Sequence, residues 1–179
     1  MTTHRAEDLI ILFNNLFAVT CNTRLIRGGN EPLYLPRSER VPYHQLIFAR
    51  GFFASALHEV AHWCIAGSVR RQQIDFGYWY LPDGRSAAQQ KAFECVEVKP
   101  QALEWIFSIA AGSVFSVSAD NLNGEATEAD AFRHAVHQQA AAYCKRGLPE
   151  RAALFRNALC DFYHTDTDLD AGRLQLEYL

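Results

Sequence analysis

The stretch Phe52-Phe53-Ala54-Ser55-Ala56-Leu57-His58-Glu59-Val60-Ala61-His62-Trp63-Cys64-Ile65-Ala66-Gly67 decides how the rest of the chain is read. From Phe52 to Ala66 the residues are apolar nearly all round a helix. Gly67 supplies the usual left-handed cap, so the segment predicts a buried central helix. Within it two histidines stand four apart, one turn of helix, where both imidazoles can present a nitrogen to one metal ion. With seven histidines in 179 residues, chance produces His-Glu-x-x-His roughly 2% of the time. Ala54, Leu57, Ala61 and Ile65 form an apolar strip with His58 and His62 on its flank, where side chains line a cleft. The competing reading makes both of them structural histidines bonded to backbone carbonyls.

Upstream, apolar residues at Leu9, Leu12, Phe13, Leu16 and Phe17 recur with helical spacing and predict a helix over Ala6 to Val19. Thr23 to Arg27 and Pro32 to Pro36 are short segments bounded by Gly28-Gly29 and prolines, and Gln45 to Ala49 has the apolar content of a buried strand. Downstream, the aromatic run from Ile74 to Leu81 predicts a strand ending in the turn Pro82-Asp83-Gly84. Ser86 to Ala111 reads as a helix that Pro100 must end or kink. Val114 to Val117 suits a further short strand, and two helices follow, Glu125 to Lys145 and Pro149 to Tyr163, the second opened by its proline. The expected class is α+β, a small mixed sheet packed by helices in a single domain over 1–179, with 166–179 a loose acidic tail.

At 49% hydrophobic and 21% charged residues the chain can bury a substantial core, which excludes general disorder. A net charge of −3 supplies no basic field, so no nucleic-acid partner is expected. The five cysteines are an odd number, widely spread and without a C-x-x-C pair, which argues against a disulfide framework and for a reducing, cytoplasmic setting. The apolar run near the start is broken by Asn14 and Asn15. It reads as neither a signal peptide nor a membrane span, and no membrane partner is expected.

Two neutral imidazoles under-coordinate a metal, so a third ligand must come from elsewhere, and its type decides the chemistry. His4, His44, His134, His137 and His164 show no partner pattern. Glu94, Glu97 and Glu104 are better candidates. Glu97, between Val96 and Val98, is the one most in need of a partner, since an acid held near a core requires one. A further His or Glu would complete a zinc hydrolase site. A two-His-one-carboxylate face leaves positions open for oxygen and substrate on iron(II).

These residues resemble a known family, the bacterial hydroxylases of translation elongation factor P. The resemblance runs from about Leu9 to Tyr163. It is carried by Asn22-Thr23-Arg24-Leu25-Ile26, Glu31-Pro32, Tyr34-Leu35-Pro36, the string Ala56 to Gly67, Asp75-Phe76-Gly77-Tyr78-Trp79-Tyr80, Pro82-Asp83-Gly84-Arg85 and Val96-Glu97-Val98-Lys99-Pro100-Gln101-Ala102-Leu103. The tail after Thr165 resembles nothing placed. What the resemblance implies is a monooxygenase that hydroxylates the β-lysylated lysine of elongation factor P. It also implies an iron(II) site of His58, His62 and Glu97, molecular oxygen as co-substrate, and a fold similar to a metal-dependent bacterial rRNA-processing endonuclease.

Removing hydrogen from carbon needs no general base, so Glu59 would steer an imidazole or a bound water rather than accept a proton. Asp75, Tyr78, Trp79, Tyr80 and Asp83 could receive the cationic lysyl arm, and Arg24, Arg70, Arg71 and Lys99 could meet the partner protein. No motif speaks for a 2-oxoglutarate clamp. The main alternative is a zinc-dependent hydrolase, a peptidase or endoribonuclease, since His-Glu-x-x-His is also the zinc peptidase signature. A third reading is a noncatalytic module stapled by its metal.

Overall fold

The computed structural model describes residues 3–75, 86–118 and 126–175, with 87 and 126–129 described as backbone only. Helix α1 (Ala6–Phe17) leads into strands β1 (Thr23–Arg27), β2 (Leu33–Leu35) and β3 (His44–Phe48). Helices α2 (Phe53–Ile65), α3 (Ala87–Ala111), α4 (Ala126–Arg146) and α5 (Glu150–Tyr163) follow. The three strands form a mixed sheet in the order β1-β3-β2, with β1 parallel and β2 antiparallel to β3, so Leu25 lies beside Leu46, which lies beside Tyr34. The expected α+β class, with a small mixed sheet packed by helices, is what these elements form.

Two apolar clusters hold the layers together. In the first, the α1 side chains Leu9, Phe13 and Phe17 meet Leu25, Leu46 and Phe48 of the sheet, Leu57, Val60 and Trp63 of α2, Leu103 and Phe107 of α3, and Phe155 and Leu159 of α5. The rings of Phe13 and Phe17 each lie 4.9 Å from that of Trp63. The α2 helix is thereby pinned by rings of large buried area on its face opposite the histidines. The second cluster joins Ala102, Trp105 and Ile106 of α3 to Phe132, Val136 and Ala140 of α4, with Phe115 and Leu174. Helix α3 therefore lies between the two clusters.

Several sequence expectations are corrected. Of the two outcomes expected at Pro100, an end or a kink, the end does not occur: α3 runs through it. A proline inside a helix costs about 3 kcal/mol, less than α3 gains by burying Leu103, Ile106 and Phe107. Gly67 is not the left-handed cap of α2, whose last turn passes into extended backbone at Ala66. The left-handed cap belongs to Gly112 at the end of α3, with φ of 67°. Pro149 precedes α5 as its N-cap.

Val114 to Val117 form no strand. The Gln101 side chain holds the adjoining Ser118 as a strand neighbour would, donating to its carbonyl (2.7 Å) and accepting from its N–H (3.1 Å). The expected strand from Ile74 reaches the described residues only at Asp75, which pairs with Tyr34 as a single bridge. The segment from Asp166, expected to be loose, packs as far as Leu174. There Arg156 donates to the Thr167 carbonyl (2.7 Å), His137 bonds the Leu174 carbonyl (3.1 Å), and Leu174 is 5% exposed. Among the described residues no helix is long and apolar enough to cross a membrane.

Candidate metal centre

Helices α2 and α3 pack side by side and, among the described residues, supply the donors of the site. On α2 the four-residue spacing sets His58 and His62 one above the other, with ring centroids 4.7 Å apart. Of the apolar strip expected beside them, Leu57 and Ala61 are buried, Ile65 is half-buried and Ala54 is exposed. The buried face is wider, taking in Ala56, Val60, Trp63 and Cys64. On α3, Glu97, Gln101 and Glu104 follow at helical intervals and form a buried polar stripe, at 4%, 2% and 8% exposure.

The stripe meets the histidines. His62 Nε2 lies 3.1 Å from Glu97 Oε1, His58 Nε2 lies 3.5 Å from Glu97 Oε2, and the two Nε2 atoms are 3.0 Å apart. Ligand atoms of His58, His62 and Glu97 fall within 4.8 Å of one another, the arrangement a metal ion requires. Three ligands about 2.1 Å from a common ion have edges of about 3.0–3.5 Å between them, the range seen here. The histidine side chains are 28% and 24% exposed while that of Glu97 is 5% exposed. An ion can thus enter from the imidazole side and rest on the carboxylate.

Glu97 Oε2 is a buried oxygen without a hydrogen-bond partner. Stranding a carboxylate oxygen costs several kcal/mol unless a cation or donor meets it, so the donor set fits a divalent metal. Burial pushes the Glu97 carboxyl up, but bonding to His62 and Gln101 and the nearness of both imidazoles bring it down overall. Burial draws His58 down. The carboxylates of Glu104, Glu97 and Glu59 outweigh that and hold it up at about 10. Positive charge is favoured at this point.

Glu104 is the member that sequence reasoning left among three possible ligands. It approaches from the other side of the ring, with Oε2 2.8 Å from His58 Nδ1, and so orients an imidazole. Its legible signal is the seven-residue, two-turn separation from Glu97, which puts both acids on one face of α3. Glu94, the third candidate, accepts from Gln90 (3.0 Å) outside the cluster. Glu59 has no hydrogen bond to either imidazole. Burial raises its carboxyl despite the opposing pull of His58 and His62.

Three of the other histidines are held elsewhere: His4 by the Ala111 carbonyl (2.8 Å), His44 by the N–H of Arg37 (3.1 Å) and His137 by Leu174. Asp75 is taken by Arg70, whose Nε and Nη2 reach Oδ2 at 2.8 and 2.6 Å. Arg71 donates to the Ala66 carbonyl (2.6 Å) and Arg24 lies over the Tyr43 ring. Tyr78, Trp79, Tyr80 and Asp83 lie outside the described residues.

The sequence model of the elongation factor P hydroxylases matches residues 12–173. The chain belongs to this family. A curated relative, the elongation factor P lysine hydroxylase of Haemophilus influenzae, is 52% identical over 173 residues, covering 97% of each chain. As a member of a hydroxylase family the chain is an enzyme, an oxidoreductase. The family match extends past Tyr163, where the resemblance read from the sequence stops, into the tail that packs on α4 and α5.

Replacing Gln101 by leucine is expected to remove about 2 kcal/mol of stability. It would strand the N–H and carbonyl of Ser118 and free one side of Glu97. Urea unfolding of the purified variant measures the loss, and a change below about 0.5 kcal/mol would contradict it.

Proposed function

We propose that the chain hydroxylates the β-lysylated lysine side chain of translation elongation factor P in the cytoplasm. In this reading iron(II) is held by His58, His62 and Glu97, and molecular oxygen is the co-substrate. The observation that carries it is the convergence of two imidazoles and one buried, half-orphaned carboxylate in a member of a hydroxylase family. Iron(II) on a two-His-one-carboxylate face would supply activation of dioxygen against an unreactive C–H bond. The overall change consumes the substrate C–H, dioxygen, two electrons and two protons, and returns the C–OH product and water. The electrons come from a two-electron donor.

The protein's part is to hold and to exclude. His58 and His62 present their Nε2 atoms from one rigid helix, and Glu97 closes the face from a second helix. The ring cluster beneath α2 keeps water from the opposite side of that helix. For the cationic arm of the substrate, the carboxylates of Asp75 and Asp83 and the rings of Tyr78 and Trp79 are the proposed receptors. Arg24, Arg70, Arg71 and Lys99 are the cations proposed to meet the partner's surface.

The test is protein reconstituted anaerobically with ferrous iron and given β-lysylated elongation factor P and a reductant. After air is admitted, mass spectrometry is expected to show a gain of about 16 Da on the modified side chain. A substrate unchanged in mass would overturn the proposal. Glu59→Gln is expected to turn over more slowly, by about 3- to 10-fold, without losing activity, because no proton acceptor is needed at carbon. Complete loss of hydroxylation, with zinc-dependent cleavage of peptide or RNA by the wild type, would favour the hydrolase reading instead.

A further inference from the structure

We infer that Glu104 is a positioning residue that fixes the tautomer and ring plane of His58, and so sets how tightly the centre holds its metal. The inference rests on the ligand set proposed above and deepens it. An ionised carboxylate has only lone pairs to offer, so at 2.8 Å from His58 Nδ1 it requires the proton to sit on Nδ1. Nε2 is then the nitrogen that can give up its proton to an ion, at the point where Glu97 Oε2 and His62 Nε2 converge. The reverse tautomer would put a hydrogen where the ion belongs and set the Nδ1 lone pair against the Glu104 carboxylate.

The same bond restrains rotation of the ring. His58 is otherwise 28% exposed on its side chain, with the His62 ring centroid 4.7 Å away and Glu97 Oε2 3.5 Å from its Nε2. Glu104, at 8% exposure, is itself held between α2 and α3 and shares its helix with the ligand Glu97 two turns earlier. One rigid helix thus delivers both a ligand and the group that orients another. Carboxylates that orient ligating imidazoles in this way are worth about 10- to 100-fold in metal affinity.

The test uses the full chain and two probes that do not depend on turnover. Cobalt(II) affinity is measured by competition with a chromophoric chelator, and the His58 tautomer is read from nitrogen-15 spectra of the zinc-loaded protein. Glu104→Ala is expected to weaken cobalt binding about 10- to 100-fold and to erase the Nδ1–H signature of His58 in proton-correlated nitrogen-15 spectra, because the hydrogen loses its acceptor and exchanges with water. Glu104→Gln keeps an acceptor oxygen in place. It is expected to retain that signature and lose only about 3- to 10-fold in affinity, a rescue that a purely structural role would not produce.

If Glu104→Ala fails to fold, the glutamine variant decides. Wild-type affinity in it, or loss of the Nδ1–H signature, overturns the inference. Alanine and glutamine variants that bind cobalt alike also overturn it, as does wild-type protein that binds no divalent ion. Because none of these readouts involves hydroxylation, the expected order in a protein that never oxidises elongation factor P would uphold the role of Glu104 and sink only the proposed reaction.

Discussion

Glu97→Gln is expected to abolish hydroxylation, to below about 1% of the wild-type rate, and to leave the metal-free protein less stable than the wild type at neutral pH. The two effects have one cause. Glu97 buries a charge whose Oε2 meets no hydrogen-bond donor. Without a metal, His62, His58 and Gln101 still bring its carboxyl down overall, so the fold favours the charged form at neutral pH. A neutral amide of the same shape gives up that stabilisation and is a poor ligand for a hard divalent ion.

Thermal denaturation separates the forms. A divalent ion at about 100 times its Kd contributes about 2.7 kcal/mol, or about 5–10 °C in Tm for a domain of this size. The wild type is expected to show that rise and Glu97→Gln to show none. His58→Ala and His62→Ala are expected to share the loss of activity with near-wild-type circular dichroism. Full activity in any one of the three would remove that residue from the ligand set.

Arg151→Ala is expected to cost about 3 kcal/mol, a fall of about 6–12 °C in Tm. Nη2 of Arg151 donates to the carbonyls of Trp63 (3.0 Å), Cys64 (2.9 Å) and Ala66 (2.7 Å), and its guanidinium lies 4.7 Å over the Trp63 ring. The last carbonyls of any helix lack partners within it, and α2 has no left-handed glycine to turn its chain back on them. A cation from α5 does that work, on the helix that carries both histidines. Arg151→Met, which keeps an apolar stem near Trp63 but no donors, is expected to recover only about 1 kcal/mol of the loss. A Tm within about 2 °C of the wild type for the alanine variant would contradict this account.

The dependence of α2 on Arg151 shows where reading the sequence runs out. Periodicity located α1, α2, α4 and α5 to within a few residues, because each buries a long apolar face and helical spacing reports that directly. Caps and breaks were less legible. Gly67 has the composition of a cap, yet α2 is closed by an arginine 85 positions away from Ala66. Pro100 has the composition of a break, yet packing on both sides of α3 carries the helix through.

The site divided in the same way. His58 and His62 announce themselves within one turn. Glu97 was preferred for its flanking valines, and these prove to be only half-buried while Glu97 itself is buried. What holds the acid inside is its meeting with α2, a contact between segments that no local window contains. Adjacency in sequence suggests Glu59 as the group that steers an imidazole or a bound water. The bond to His58 Nδ1 is made by Glu104, on the neighbouring helix, which no local pattern announces.

The most direct measurement is a crystal grown anaerobically with ferrous iron, with anomalous scattering recorded at the iron edge. The account predicts one peak about 2.0–2.3 Å from Nε2 of His58, Nε2 of His62 and an oxygen of Glu97. A peak held by other residues, or one with both Glu97 oxygens more than about 3 Å away, would contradict it.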